Sequence, residues 1–139
     1  MIQEIIKKWD KNKYKLEEYF STTKQEKYGS YEAIIQQIFE LVINSDEESY
    51  ERFNINKMTV IDDGDYQGTQ IFIIPKDTYQ PNIDDYLITH TYYGSCSGCD
   101  VLEGIRNYSS GLPTEQQVKE YMILALHLVQ KMKRITDDE

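Results

Sequence analysis

The chain has 139 residues, 40% of them hydrophobic and 28% charged, with a formal net charge of −9 at pH 7. This composition is that of a globular protein, and the length is enough to bury one sizeable core. The apolar runs are far too short for a membrane span, and the charged start of the chain is unlike a secretion signal. Two cysteines are too few for a disulfide scaffold. We therefore expect one domain, residues 1–139, in a reducing compartment.

The negative charge is concentrated in the middle of the chain. Residues 28–110 carry four basic and fourteen acidic side chains, a net charge of −10, whereas residues 1–27 carry seven lysines and five acids. Contacts to a phosphate backbone need clustered Lys and Arg, so direct binding of nucleic acid is not expected. The expected counterpart of such a segment is a basic protein surface or a cation.

Two helices are predicted in the N-terminal part, residues 1–45. Residues 2–20 place apolar side chains along one helical face, and Ser30 is a suitable N-cap for a second helix that reaches about Asn44. The expected core face of the second helix consists of Ile34, Ile35, Ile38, Phe39, Leu41 and Val42.

The periodicity then changes to that of strands, within residues 57–93. Runs rich in β-branched and aromatic residues at 58–61, 70–74 and 85–93 alternate with segments dense in turn-forming residues. The connections are short, which favours an antiparallel meander.

Two more helices are predicted in residues 100–135, at 100–108 and from 115 to about 134. Thr114 and Gln117 match a capping box for the second of these, which is apolar on nearly all sides between 121 and 129. The predicted fold is therefore an α+β domain, with a three-stranded antiparallel sheet flanked by two N-terminal and two C-terminal helices.

The segment after the third strand holds both cysteines in a Cys-x-x-Cys spacing between small residues. One interpretation is a structural turn in which cysteine is a small apolar filler, and the other is a loop whose backbone N–H groups converge on a ligand. The candidate ligand-binding residues are Gly94, Ser95, Cys96, Ser97, Gly98, Cys99 and Asp100, together with Tyr66 and Gln67.

Metal binding and thiol exchange are alternatives for the same cysteines. Cys96, Cys99, His90 and His127 would together supply four zinc ligands, but the usual second Cys-x-x-Cys or a His-x-His is missing. Asp100 opposes thiolate formation, which disfavours redox activity. We expect no cofactor, with one structural zinc as the alternative.

The acidic turn at 62–65 lacks the spaced ligands of an EF-hand loop and is flanked by predicted strands, so a solvated hairpin turn is expected. No Ser-His-Asp arrangement or pair of acid–base carboxylates can be identified. No catalytic residue is therefore assigned, and a non-enzymatic protein is favoured.

Three segments carry a resemblance that covers roughly residues 55–133: IDDGDYQGT at 61–69, HTYYGSCSGCD at 90–100 and LALHLVQ at 124–130. They are similar to segments of a family of small uncharacterised proteins from tailed phages and prophages of Gram-positive bacteria. The family has no established activity. The resemblance implies the cytoplasm of a bacterial host, and small acidic proteins of this class often bind host or defence proteins with basic grooves.

These observations predict an acidic phage or prophage accessory protein that binds and modulates a host or defence protein through that protein's basic, nucleic-acid-binding surface. The alternative is a ligand- or metal-binding domain, or an enzyme, that uses the loop at 94–100. The expected partner-binding acidic surface consists of Asp46, Glu47, Glu48, Glu51, Asp62, Asp63 and Asp65.

Overall fold

The computed structural model describes residues 2–25, 30–45, 52–64, 68–94, 101–106 and 111–135. In chain order the elements are α1 (Ile2–Thr22), α2 (Tyr31–Ile38), β1 (Thr59–Asp62), β2 (Gly68–Pro75), β3 (Tyr86–Tyr93), α3 (Val101–Arg106), α4 (Glu115–Gln130) and β4 (Lys133–Arg134). The expected α+β class is confirmed: three longer helices and the short α3 accompany an antiparallel sheet in the part of the chain described.

Helix α1 begins and ends close to the predicted positions, and α2 begins as predicted but ends at Ile38 rather than near Asn44. The Ser30 hydroxyl accepts a hydrogen bond from the Ala33 N–H at 3.4 Å and so caps α2 as expected. Directly after α2 the chain makes a π-helical turn, Phe39–Ile43. A π turn takes up one more residue than an α turn, so Ile43 is fully buried and Leu41 lies at the margin of the core.

The sheet has four strands in the described residues, in the order β1-β2-β3-β4, and all neighbours are antiparallel. The expectation of three strands was wrong, as was the expectation that the last helix reaches residue 134. Helix α4 ends at Gln130, and Lys133 and Arg134 turn back to pair with Ile88 and Leu87. A two-residue strand is too short to show a period-2 pattern, so the sequence carries no signal for it.

The alternating burial of side chains along β3 shows which face of the sheet packs against α4. Leu87, Thr89 and Thr91 are buried on the inner face, where the Thr89 hydroxyl donates a hydrogen bond to the Leu128 carbonyl of α4 at 2.8 Å. The intervening residues of β3, beginning with Tyr86 and ending with Tyr92, point to the outer face. Helix α4 therefore packs against the inner face, and α1 packs against α4 and the segment that follows α2.

Helix α4 is less buried than its composition predicts. Ile123 is 54% exposed, and His127 and Gln130 are also exposed, so one stripe of the helix faces solvent. On the opposite side, Tyr121 stacks on Phe20 of α1 with ring centroids 4.9 Å apart. An apolar run alone does not identify the solvent-exposed side of a helix that packs against both a sheet and another helix.

Two buried asparagines connect segments that are distant in the chain. The Asn12 amide donates to the Val42 carbonyl of the π turn at 3.0 Å. Asn44 both donates to the Phe53 carbonyl and accepts from the Phe53 N–H, each at 2.9 Å. Since buried polar groups need partners, these amides fix the chain on both sides of the 46–51 segment relative to the helices.

We expect Asn44→Ala to lower the free energy of unfolding by about 2–4 kcal/mol, because it leaves a buried N–H and a buried carbonyl of Phe53 without partners. Asn56→Ala, at an exposed position, should change it by less than about 0.5 kcal/mol. Denaturant unfolding of both variants makes the comparison, and equal effects would contradict this role of Asn44.

Candidate functional site

The described members of the two predicted sites lie at one end of the sheet. Asp62 ends β1 opposite Gln70, and Gly94 follows Tyr93, which is opposite Gly68. The acidic hairpin turn and the start of the Cys-containing loop are therefore neighbours. The other predicted members lie outside the described residues: Asp46, Glu47, Glu48, Glu51, Asp65, Tyr66, Gln67, Ser95, Cys96, Ser97, Gly98, Cys99 and Asp100.

The Asp62 carboxylate is the centre of a hydrogen-bond network at this end. The Tyr93 hydroxyl lies 2.5 Å from Asp62 Oδ1 and 2.6 Å from the Gly64 carbonyl oxygen, and its single hydrogen is shared between these two acceptors. The Gly64 N–H donates to Oδ1 at 3.0 Å, and the Gln70 amide donates to Oδ2 at 3.1 Å. Asp62 thus shapes the turn and remains exposed at the surface.

These donors hold the pKa of Asp62 below its usual range. The Tyr93 hydroxyl contributes most, followed by the Gly64 N–H and the Gln70 amide, because each favours the ionised carboxylate. The associated stability is fully present above the pKa of the unfolded chain and is lost as the pH falls through the lower folded-state pKa. At neutral pH the turn therefore presents a fixed negative charge.

Gly68 is required by the close approach of the turn to β2. A Cβ atom at this position would lie 2.6 Å from Asp63 Oδ1 and 3.1 Å from the Gly64 backbone. Asp63 Oδ1 cannot move freely, because it accepts a hydrogen bond from the Thr69 N–H at 2.6 Å. Both Asp62 and Asp63 are thus held in place by backbone groups of the hairpin.

The far side of the Cys-containing loop is fixed by Tyr31. The hydroxyl of this buried residue accepts a hydrogen bond from the Leu102 N–H in the first turn of α3, at 3.1 Å. In this position it satisfies an N–H group that a capping side chain would otherwise bind. The loop therefore begins beside the hairpin turn and ends beside the start of α2. No local sequence pattern could reveal this contact, since 71 positions separate the two residues.

The two histidines of the predicted zinc set do not point to a common position. His90 is half-buried on the outer face of the sheet and makes an edge-to-face contact with Tyr92, with centroids 6.2 Å apart. His127 is exposed on α4, which packs against the inner face. Among the described residues, no group of three or more His, Cys, Asp or Glu side chains could hold a metal ion. Cys96 and Cys99 are not among them, so the zinc site stays a prediction.

Burial is the main reason that the pKa of His90 lies below its ordinary value of 6.5, and Lys131 and Lys133 lower it further. The Lys131 ammonium donates to the His90 carbonyl at 3.3 Å, and partial burial lowers the pKa of Lys131 as well. A depressed histidine pKa means that the unfolded chain binds the proton more readily. Stability from this residue is therefore lost as the pH falls below the unfolded value.

Comparison of the chain with protein-family models, with curated proteins and with solved structures finds no match. In the described part of the chain, no helix is both long enough and apolar enough to cross a bilayer.

We expect Tyr93→Phe to raise the pKa of Asp62 towards its ordinary value, because the strongest hydrogen bond to the carboxylate is removed. NMR titration of the side-chain carboxyl carbon measures this change. Tyr92→Phe is the matched control, since Tyr92 points to the outer face and should leave the Asp62 titration unchanged. An unchanged pKa in Tyr93→Phe would show that the hydroxyl does not stabilise the anion.

We expect Gly68→Ala to lower the free energy of unfolding by about 1–3 kcal/mol, because the added methyl group pushes Asp63 and the Gly64 backbone away from residue 68. Gly111→Ala is the control, as nothing lies within 4 Å of the added carbon, and it should be neutral or slightly stabilising. Thermal unfolding of the two variants distinguishes them, and a neutral Gly68→Ala would argue against the close packing of this turn.

Proposed function

We propose that this protein is a non-enzymatic acidic accessory protein that binds a host or defence protein through that protein's basic, nucleic-acid-binding surface. The observation that carries the proposal is the fixed, exposed anion at the end of the sheet, formed by Asp62 and supported by Tyr93. A carboxylate that is already ordered loses little conformational freedom on binding, so its attraction to a cationic partner is retained.

The charge distribution supports the same conclusion. Residues 28–110 carry a net charge of −10, from four basic and fourteen acidic side chains. A field of one sign speeds the encounter with a surface of opposite sign and disfavours partners that carry the same sign. A groove that normally holds nucleic acid is lined with Lys and Arg, and is the protein surface that such a field suits best.

The described residues that flank the two groups of proposed acids lie near opposite ends of β2. Phe53, fixed by Asn44, forms a bridge with Lys76 just beyond the end of β2, whereas Asp62 pairs with Gln70 near its start. The six residue-to-residue steps from Gln70 to Lys76 correspond to about 20 Å along a strand.

The acids of the 46–51 segment and Asp65 lie outside the described residues. In the sequence, Asp46, Glu47, Glu48 and Glu51 form one acidic cluster, and Asp62, Asp63 and Asp65 form the other. Two acidic clusters suit an elongated basic groove better than a small basic pocket.

Charge reversal at Glu47, Glu48 and Asp63 to Lys should slow association about tenfold or more at low salt and flatten its salt dependence, because both clusters are weakened. The partner is captured from a lysate of a Gram-positive bacterium with the wild-type protein, and association rates are measured by surface plasmon resonance at several salt concentrations.

The matched control is reversal of Asp10, Glu17 and Glu18, which are exposed on α1 and change the net charge equally. This variant should retain most of the wild-type rate. If both triple variants bind alike, the attraction depends only on net charge and the proposed surface is wrong.

A second candidate is a ligand-binding site at the loop 94–100. The observation in its favour is that Gly94 follows a tyrosine bonded to the hairpin turn, so the loop candidates and the segment with Tyr66 and Gln67 begin at the same end of the sheet. Native mass spectrometry with and without chelator and reductant tests this candidate. A retained organic ligand or zinc ion that Cys96→Ser loses without unfolding would favour this candidate over the acidic surface.

A further inference from the structure

The outer face of the sheet is apolar in the centre and lies opposite the face that packs against α4. Adjacent residues in register form two rows there, Thr59–Ile73–Ile88–Lys133 and Ile61–Ile71–His90. We call the face defined by Ile61, Ile71, Ile73, Ile88, His90 and Tyr92 the outer sheet face.

The side chains of this face are only partly buried. Ile61 is 47% exposed and Tyr92 is 69% exposed, while Ile71, Ile73 and Ile88 are intermediate and do not belong to the core cluster. Helix α4 contacts β3 from the inner side, where the Thr89 hydroxyl bonds to the Leu128 carbonyl. Contiguous exposed apolar surface of this kind marks interaction sites on soluble proteins.

The charge at the rim of this face is opposite to that of the whole chain. Lys133 is in register with Ile88, and the Lys131 ammonium lies 3.3 Å from the His90 carbonyl at the same edge. The one acidic residue in the four strands is Asp62, and it shares the inner-face row with Gln70. Lys133 of β4 and Lys131, directly after α4, therefore bring two ammonium groups to one edge of the outer sheet face, and the four described strands bring no carboxylate to it.

We propose that the outer sheet face docks a segment of another protein that has an apolar centre and carboxylates along one flank. The apolar centre would cover the isoleucines, and the carboxylates would pair with Lys131 and Lys133. This is a second interaction surface, on residues that the acidic surface does not use, so its failure leaves the proposed function unaffected.

Other kinds of partner are less complementary to the outer sheet face and its two lysines. A nucleic acid or an anionic bilayer is a polyanion, which the net charge of −9 repels, and two lysines provide little compensation. A second copy of this chain would bring the same two lysines and no outer-face carboxylate, so pairing between outer sheet faces has no charge complement. A separate acidic and apolar segment meets both requirements.

The test selects random dodecapeptides by ribosome display on the wild-type protein and measures the affinity of individual synthetic peptides by fluorescence anisotropy. Selected peptides should combine apolar residues with Asp or Glu. The double variant Ile73→Thr with Ile88→Thr should weaken the binding of these peptides about tenfold or more, since buried isoleucine area is lost while strand propensity is retained. The double variant Lys131→Met with Lys133→Glu should weaken their binding about threefold or more and reduce the salt dependence of binding.

Ile123→Thr is the matched control, because Ile123 is also exposed but lies on α4, and it should leave peptide affinity unchanged. Denaturant unfolding verifies that each variant is folded. The proposal is overturned if no selected peptide depends on Ile73 and Ile88, or if the selected peptides are basic. A dimer that sedimentation detects and Ile73→Thr dissociates would also overturn it, because the occupant would then be a second copy.

Discussion

The packing of α4 against one face of β3 is the constraint on which the rest of this structure depends. Leu87, Thr89 and Thr91 are buried there, and the Thr89 hydroxyl is bonded to the Leu128 carbonyl. When one face of a strand is buried, a shift of one residue would expose its whole apolar set, so the register is fixed. That register places Tyr93 beside the hairpin turn and turns His90 towards the opposite side of the sheet.

Both proposed surfaces follow from this arrangement. At the end of the sheet, Tyr93 holds the Asp62 anion in place and so joins the core to the acidic turn. At the other end, Asn44 and Phe53 fix the chain on either side of the segment that holds Asp46, Glu47, Glu48 and Glu51. The outer sheet face carries the opposite charge and an apolar centre. The fold thus places the Asp62 anion at one end of the sheet and the ammonium groups of Lys131 and Lys133 beside its outer face.

Periodicity and capping chemistry predicted that the longer elements exist and where α2 and α4 begin, because Ser30 and Thr114 are local signals and three strands are long enough to show their pattern. Both helices end earlier than predicted. The features that were missed depend on contacts across the fold. Strand β4 exists because β3 offers it a partner, and the contacts of Tyr31 and Tyr93 join residues far apart in the chain. The acidic turn was predicted from composition, but its role in binding Tyr93 and Thr69 could not be.

Carbodiimide cross-linking of the complex with the captured partner, followed by mass spectrometry, tests the central claim most directly. This reagent joins carboxylates to lysines in contact without a spacer. The account predicts links from Asp63 and from the acids of 46–51 to lysines that line one basic groove of the partner. Links from only one cluster, or links confined to Lys131 and Lys133 of this protein, would contradict a binding surface formed by both acidic clusters.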